Sequence, residues 1–188
     1  MSFTSQYIDE THRILEALDT GVIENIVEEL ADIRGCGGRL FVIGVGGSAA
    51  TASHAVNDFR KIARIEAYAP TDNVAELTAR TNDQGWSSTF VEWLRVSRLN
   101  ETDGVMVLSV GGGSETVSPN ISQALRFSVR QGAGIYGIVG RDGGATALVA
   151  DACLVIPPLF PEHVTPHTAG LASVVLHLLV SHPLLTES

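Results

Sequence analysis

The sequence predicts an α/β fold, a parallel sheet with helices on both faces. Four short, continuously apolar runs, 39–44, 104–108, 134–139 and 152–156, are separated by segments of helical periodicity. Runs of this length and character suit strands buried on both sides, and alternation with helices gives successive strands a parallel sense. Two of the runs end in turns rich in glycine and serine, at the junction where sheets of this kind bind ligands. With 188 residues the chain is sized for a single domain, 1–188.

Taken in order, residues 2–18 carry Tyr7, Ile8, Ile14, Leu15 and Leu18 at helical spacing. A second helical pattern after Gly21 uses Val22, Ile23, Ile26, Val27, Leu30 and Ile33, and stops at Gly35-Cys36-Gly37-Gly38. Both precede the first strand, so 1–36 reads as a helical pair available for packing between subunits. The first strand is Arg39 to Gly44, and Ile65 to Tyr68 adds a short one. Helices are expected over 48–63, 72–81, 87–98, 117–131 and 143–149, and a last one over 166–181 with Leu171, Val174, Val175, Leu178 and Leu179 inward.

Composition narrows the function classes. The net charge is −9, and Lys61 is the single lysine against eleven arginines, with no basic run. Nucleic acid is therefore not an expected direct partner. Cys36 and Cys153 lie far apart beside apolar residues or glycine and read as buried or incidental thiols. No signal-peptide pattern opens the chain, and no apolar run is expected to reach the ~20 residues of a membrane span. The expectation is a cytoplasmic protein without a membrane partner. A hydrophobic share of 45% is consistent with an apolar face buried in an oligomer.

The first glycine turn is Gly44-Val45-Gly46-Gly47-Ser48, and the second is Ser109-Val110-Gly111-Gly112-Gly113-Ser114. Glycine admits close approach of a ligand to the backbone, helix N-termini offer unpaired N–H groups, and serine adds hydroxyl donors. Together these make an anion site that needs no lysine. The first turn lacks the acidic residue that closes a dinucleotide fingerprint, and no Walker lysine is present. A phosphate is the expected ligand. Asn82-Asp83-x-Gly85 and Arg141-Asp142-Gly143-Gly144 have turn composition, the latter with a helix N-cap.

Gly46-Gly47-Ser48, Ala52-x-His54, Leu77-Thr78-Ala79, Asn82-Asp83-x-Gly85, Ser109 to Ser114, Gly140 to Gly144 and a last helix bearing His177 together resemble the phosphoheptose isomerases of the sugar-isomerase (SIS) domain superfamily. The resemblance covers nearly the whole chain. It implies a flavodoxin-like single SIS domain, a homotetramer, and isomerisation of sedoheptulose 7-phosphate to D-glycero-D-manno-heptose 7-phosphate. It further implies phosphate contacts from Ser48, Ser109 and Ser114, in a binding set with Gly47, Gly111 and Gly112. Asp83 falls where the family's aspartate borders the site.

Aldose–ketose isomerisation needs one group to take a proton beside a carbonyl and another to exchange a proton with the carbonyl oxygen. His54 and Asp58 are four residues apart, hence on one helix face. From spacing alone they are equally an ordinary surface pair, and His177 equally a core histidine. By resemblance His54 and His177 are active-site histidines, and Asp58 stands where the family has a glutamate acting as base or metal ligand. His54, Asp58 and His177 are thus also a candidate Zn²⁺ site with an open position. His163 and His167 flank Thr165-Pro166; His167 reads either as a first-turn surface residue or as a substrate or metal contact. The chain departs from the family at Val45 (usually Asn), at Gly111 (usually Ser), and at Ala169 and Ala172, where a polar ligand is expected. These departures leave a non-catalytic sugar-phosphate-binding or regulatory protein as the alternative.

Overall fold

The computed structural model describes residues 1–186. Before the sheet come α1 (Phe3–Glu16) and α2 (Thr20–Cys36), then β1 (Arg39–Gly44), α3 (Gly47–Lys61) and β2 (Glu66–Tyr68). The chain continues through α4 (Val74–Gln84), a single 3-10 turn (Trp86–Ser88), α5 (Thr89–Val96), β3 (Gly104–Ser109) and α6 (Pro119–Gln131). It closes with β4 (Gly134–Val139), α7 (Gly144–Val149), β5 (Ala152–Val155), α8 (Val164–Ser181) and the short α9 (Pro183–Thr186).

Local chemistry sets these limits. Ser2, Asp19 and Asn73 each accept a backbone N–H of the first turn of α1, α2 and α4. Gly37 and Gly132 end α2 and α6 in the left-handed region, with Gly38 N–H reaching Ile33 O and Ala133 N–H reaching Ser128 O. Gly85, at φ +83°, ends α4, and the helix expected over 87–98 opens as the 3-10 turn before continuing as α5. Asn82 and Asp83 lie in the last turn of α4, not in the turn their composition suggests.

The sheet is all-parallel in the order β2-β1-β3-β4-β5. Side chains of consecutive strand residues alternate between its faces. Leu40, Val42, Met106, Leu108, Tyr136 and Ile138 meet α2, α3 and α8, while Phe41, Ile43, Val105, Val107 and Ile135 meet α5 and α6. α2 therefore covers this chain's own sheet through Ile26, Val27 and Leu30, a use that position before the first strand did not suggest. α1 differs: it buries only Glu10 and Ile14 and leaves Phe3 and Ile8 exposed.

Of the two free thiols Cys36 is exposed, and Cys153 is half-buried with its thiol pushed up to about 11 by burial. One expectation changes. The stretch Pro161–Ser181 is long and apolar enough, by length and composition, to cross a membrane. Here its Leu171, Val175 and Leu179 are packed into the core beside α2 and α3.

From β1 the chain steps outward to β2, then returns to place β3 on the other side of β1. The carboxyl ends of β1 and β3 thus flank the point where strand order reverses. That reversal opens a crevice, because the following connections leave to opposite faces.

Candidate active site

Both glycine turns leave the sheet at this crevice. The cleft there, about 490 Å³, is lined by Val45 and Ser48 of the first turn and by Ser109, Val110, Gly111 and Ser114 of the second, with Ser118, Arg141 and Thr165 completing it. A larger cleft of about 750 Å³ lies at the opposite ends of the strands. Glu29, Asp32, Glu101 and Asp151 line that one, and carboxylates repel a phosphate dianion, so the smaller cleft is the candidate.

The first turn is shaped by close approach. A Cβ on Gly44 would come within 2.6 Å of Ser48 O, so only glycine lets α3 start this near the strand. Gly46, at φ +64°, serves as the N-cap of α3 and supplies no side-chain cap, and among the described residues the Ser48 hydroxyl has no protein partner. The end of α3 is thus free to meet an anion.

In the second turn the serine oxygens accept from the loop itself. Ser109 Oγ accepts Gly112 N–H at 3.1 Å, and Ser114 Oγ accepts Val117 N–H at 2.9 Å. The Ser109 hydroxyl can still donate its own proton, which suits an acceptor-only phosphate oxygen, whereas Ser114 Oγ donates to Val117 O at 3.3 Å and would turn from it to meet an anion. Gly112 and Gly113 carbonyls accept from Thr146 and Ala145 N–H, so the first turn of α7 is occupied by the loop. Gly112 therefore shapes the loop, with its amide turned to Ser109, and like Gly47 it is absent from the cleft lining.

Arg141, read from composition as part of a turn, belongs to the site. It follows β4 at φ +52° and is, among the described residues, the one cation of the cleft lining. Composition alone marked it as a turn. The signal available was its place after a strand, the same position as the two glycine turns. Arg141→Ala is expected to raise the KM for a sugar phosphate by roughly 10- to 100-fold with little change in kcat, measured by steady-state kinetics.

The acid–base candidates form a second group, on α3 and α8. Asp58 Oδ2 lies 3.2 Å from His54 Nε2 and 3.6 Å from His177 Nε2, and its Oδ1 accepts Asn57 Nδ2 at 2.9 Å. The Asp58 side chain is only 13% exposed, while both histidines are 55% exposed and stand edge-to-face with 5.1 Å between ring centroids. His177 is thus no core histidine, and His54 with Asp58 is more than a surface pair. Two imidazoles and a carboxylate whose ligating atoms converge match the donor set of a zinc site with an open position. Ala169 and Ala172 add no further ligand.

Cleft and cluster are separate but joined by α3. Helical rise places His54 about 9 Å and Asp58 about 15 Å beyond Ser48 along the axis. Asp83 is exposed on α4 and lines neither.

His167 is not on the surface. Its side chain is 3% exposed, with Nε2 3.0 Å from Glu10 Oε2 and its ring stacked on Tyr7. The hydrogen bond to His167, aided by those to Gln6 and His163, holds the Glu10 carboxyl down at about 2 against its burial.

No family model matches the chain. It is 34% identical over 163 residues to the lincomycin biosynthesis protein LmbN of Streptomyces lincolnensis, covering 82% of this chain but only 57% of that longer protein. It is 32% identical over 173 residues to the phosphoheptose isomerase of Trichlorobacter lovleyi, covering 88% of this chain and 82% of that one. The solved structure of a phosphoheptose isomerase from Francisella tularensis superposes over 100% of both chains with a TM-score of 0.84 at 21% identity, a match of fold.

Proposed function

The chain belongs to the phosphoheptose isomerase family of the sugar-isomerase superfamily, and from that membership we propose that it interconverts the ketose and aldose forms of a phosphorylated sugar, with sedoheptulose 7-phosphate as substrate. The observation that carries this reading is the convergence of His54 and His177 on the Asp58 carboxylate. Ser48, Ser109, Ser114 and Arg141 hold the phosphate, with Gly47, Gly111 and Gly112 shaping the loops and His167 and Asp83 outside the lining. An extended seven-carbon chain with its phosphate covers about 10 Å, close to the axial run from Ser48 to His54, whose Nε2 lies 3.2 Å from the Asp58 Oδ2 that takes the proton.

In the reaction Asp58 takes the proton from C1 while His177 protonates the C2 carbonyl oxygen, giving an enediol. Asp58 then returns its proton to C2, and His177 recovers one from the C1 hydroxyl, so no proton is gained or lost overall. His54 lies against the same carboxylate oxygen and orients it. A zinc ion held by His54, Asp58 and His177 would supply Lewis-acid polarisation of the sugar oxygens. The working form in this reading is a cytoplasmic homotetramer of a single SIS domain, 1–188, with 1–36 contributing to the subunit contacts. Nucleic acid and membrane are not among its partners.

Purified protein given sedoheptulose 7-phosphate, with and without zinc, should produce an aldoheptose phosphate. Thermal stabilisation by the sugar phosphate without turnover under either condition would instead identify a non-catalytic binding or regulatory protein. The departures at Val45, Ala169 and Ala172, of which Ala169 and Ala172 offer no ligand beside the cluster, are what favour that second reading.

A further inference from the structure

One buried group of ligating side chains has no part in the reaction. Glu10 Oε2, on α1, lies 2.7 Å from His163 Nδ1 and 3.0 Å from His167 Nε2, while Gln6 Nε2 holds the other carboxylate oxygen at 2.8 Å. We propose that Glu10, His163 and His167 form a separate site for a divalent transition-metal ion such as zinc, which fastens α1 to the start of α8.

Residue type and spacing suit such an ion. His163 is the N-cap of α8 and His167 lies in its first turn; both ring nitrogens reach the one Glu10 oxygen, and that carboxylate comes from another helix. The three ligating atoms all lie within 4.8 Å of one another. Zinc bonds of about 2.1 Å at tetrahedral angles put ligand atoms about 3.4 Å apart, so Glu10 Oε2 must move about 0.4 to 0.7 Å further from the two histidine nitrogens, now at 3.0 and 2.7 Å, to admit the ion.

The hydrogen-bond pattern also admits a cation, either a second proton or a metal ion. Thr11 Oγ1 donates its proton to Tyr7 O at 2.8 Å and lies 3.5 Å from His167 Nδ1. His167 therefore stands between two oxygen acceptors, Thr11 Oγ1 and Glu10 Oε2, while a neutral imidazole carries one proton. A metal on Nε2, with the proton on Nδ1, satisfies both sides and gives the ring the outer partner that metal-bound histidines have. Phe3 and Tyr7 pack around the histidines, Phe160 stands beside His167, and the partly exposed His163 leaves a path for the ion.

This site is distinct from the His54–Asp58–His177 cluster. His177 lies ten residues after His167 on α8, about 15 Å further along the axis. Its effect is local to α1, whose other buried side chain is Ile14 alone. Occupancy would thus decide how firmly α1 is docked.

The test uses the full chain carrying His54→Ala and His177→Ala, which removes the other cluster. Stripped with chelator and titrated with zinc by calorimetry, it should bind one ion per chain and melt several degrees higher; cobalt should give the visible absorption of a four- or five-coordinate site. Glu10→Gln and, separately, His163→Asn on that background should each weaken binding at least 10-fold. Amide exchange over 3–16 should slow with zinc in the parent only, a readout that does not depend on turnover. No binding to the parent overturns the proposal, as does unchanged affinity in the His163→Asn variant, whose partly exposed side chain is replaced without opening the core.

Discussion

Asp58→Asn is expected to lower kcat by about 100- to 10,000-fold, the span that a positioned general base contributes. Asparagine keeps the size of the side chain and can still accept Asn57 Nδ2 through its amide oxygen. What it removes is the negative charge between two imidazoles, and with it any proton acceptor at that point. His54 and His177 both aim at Oδ2, so the change strikes the single atom on which the cluster converges. KM should move far less, because the cleft assigned to the phosphate in the proposed function lies at the start of α3, away from Asp58. Steady-state kinetics on folded protein, judged by circular dichroism, checks this. Zinc content measured on the same preparations separates loss of a base from loss of a ligand. A kcat within threefold of the parent would remove Asp58 from the chemistry.

The second large effect concerns stability and arises at the far end of the sheet. Asp103, just before β3, is 1% exposed and accepts from Arg39 N, Nε and Nη2 and from Asn100 N and Nδ2. Arg39 in turn donates to Ser97 O and Arg98 O, so this one carboxylate ties the start of β1 to the approach to β3. Asp103→Ala leaves a guanidinium and three backbone or amide donors without their acceptor. Breaking one side of such a pair costs about 3–5 kcal/mol. For a chain of this size that lowers Tm by roughly 10 °C, measurable by thermal melts or urea titration. Kinetic constants below the melting range should be unchanged, since the cleft opens at the other ends of the strands. A loss under 1 kcal/mol would show that water replaces the carboxylate readily.

The elements of the sheet were legible because burial on two faces writes a plain apolar run. Arg39–Gly44 and Gly134–Val139 begin and end where the runs do. Helix limits were less legible, since the choice depended on single residues such as Asn73 and Gly85. Composition also could not place a group whose burial is decided by a neighbour distant in sequence: His167 is sealed beneath α1. Nothing local to Thr165-Pro166-His167 announces Glu10, which is 157 residues away.

By itself, then, the sequence determined an α/β chain with two glycine–serine turns at strand ends, and the motif set that places it among the phosphoheptose isomerases. Strand periodicity and turn chemistry are local properties, read within a few residues. Only the tertiary structure decided that both turns open on one cleft with Arg141, that His54 and His177 share one carboxylate oxygen, and that a second carboxylate–histidine group joins α1 to α8. Those facts depend on strand order and helix packing, which bring together residues whose separation along the chain carries no local trace.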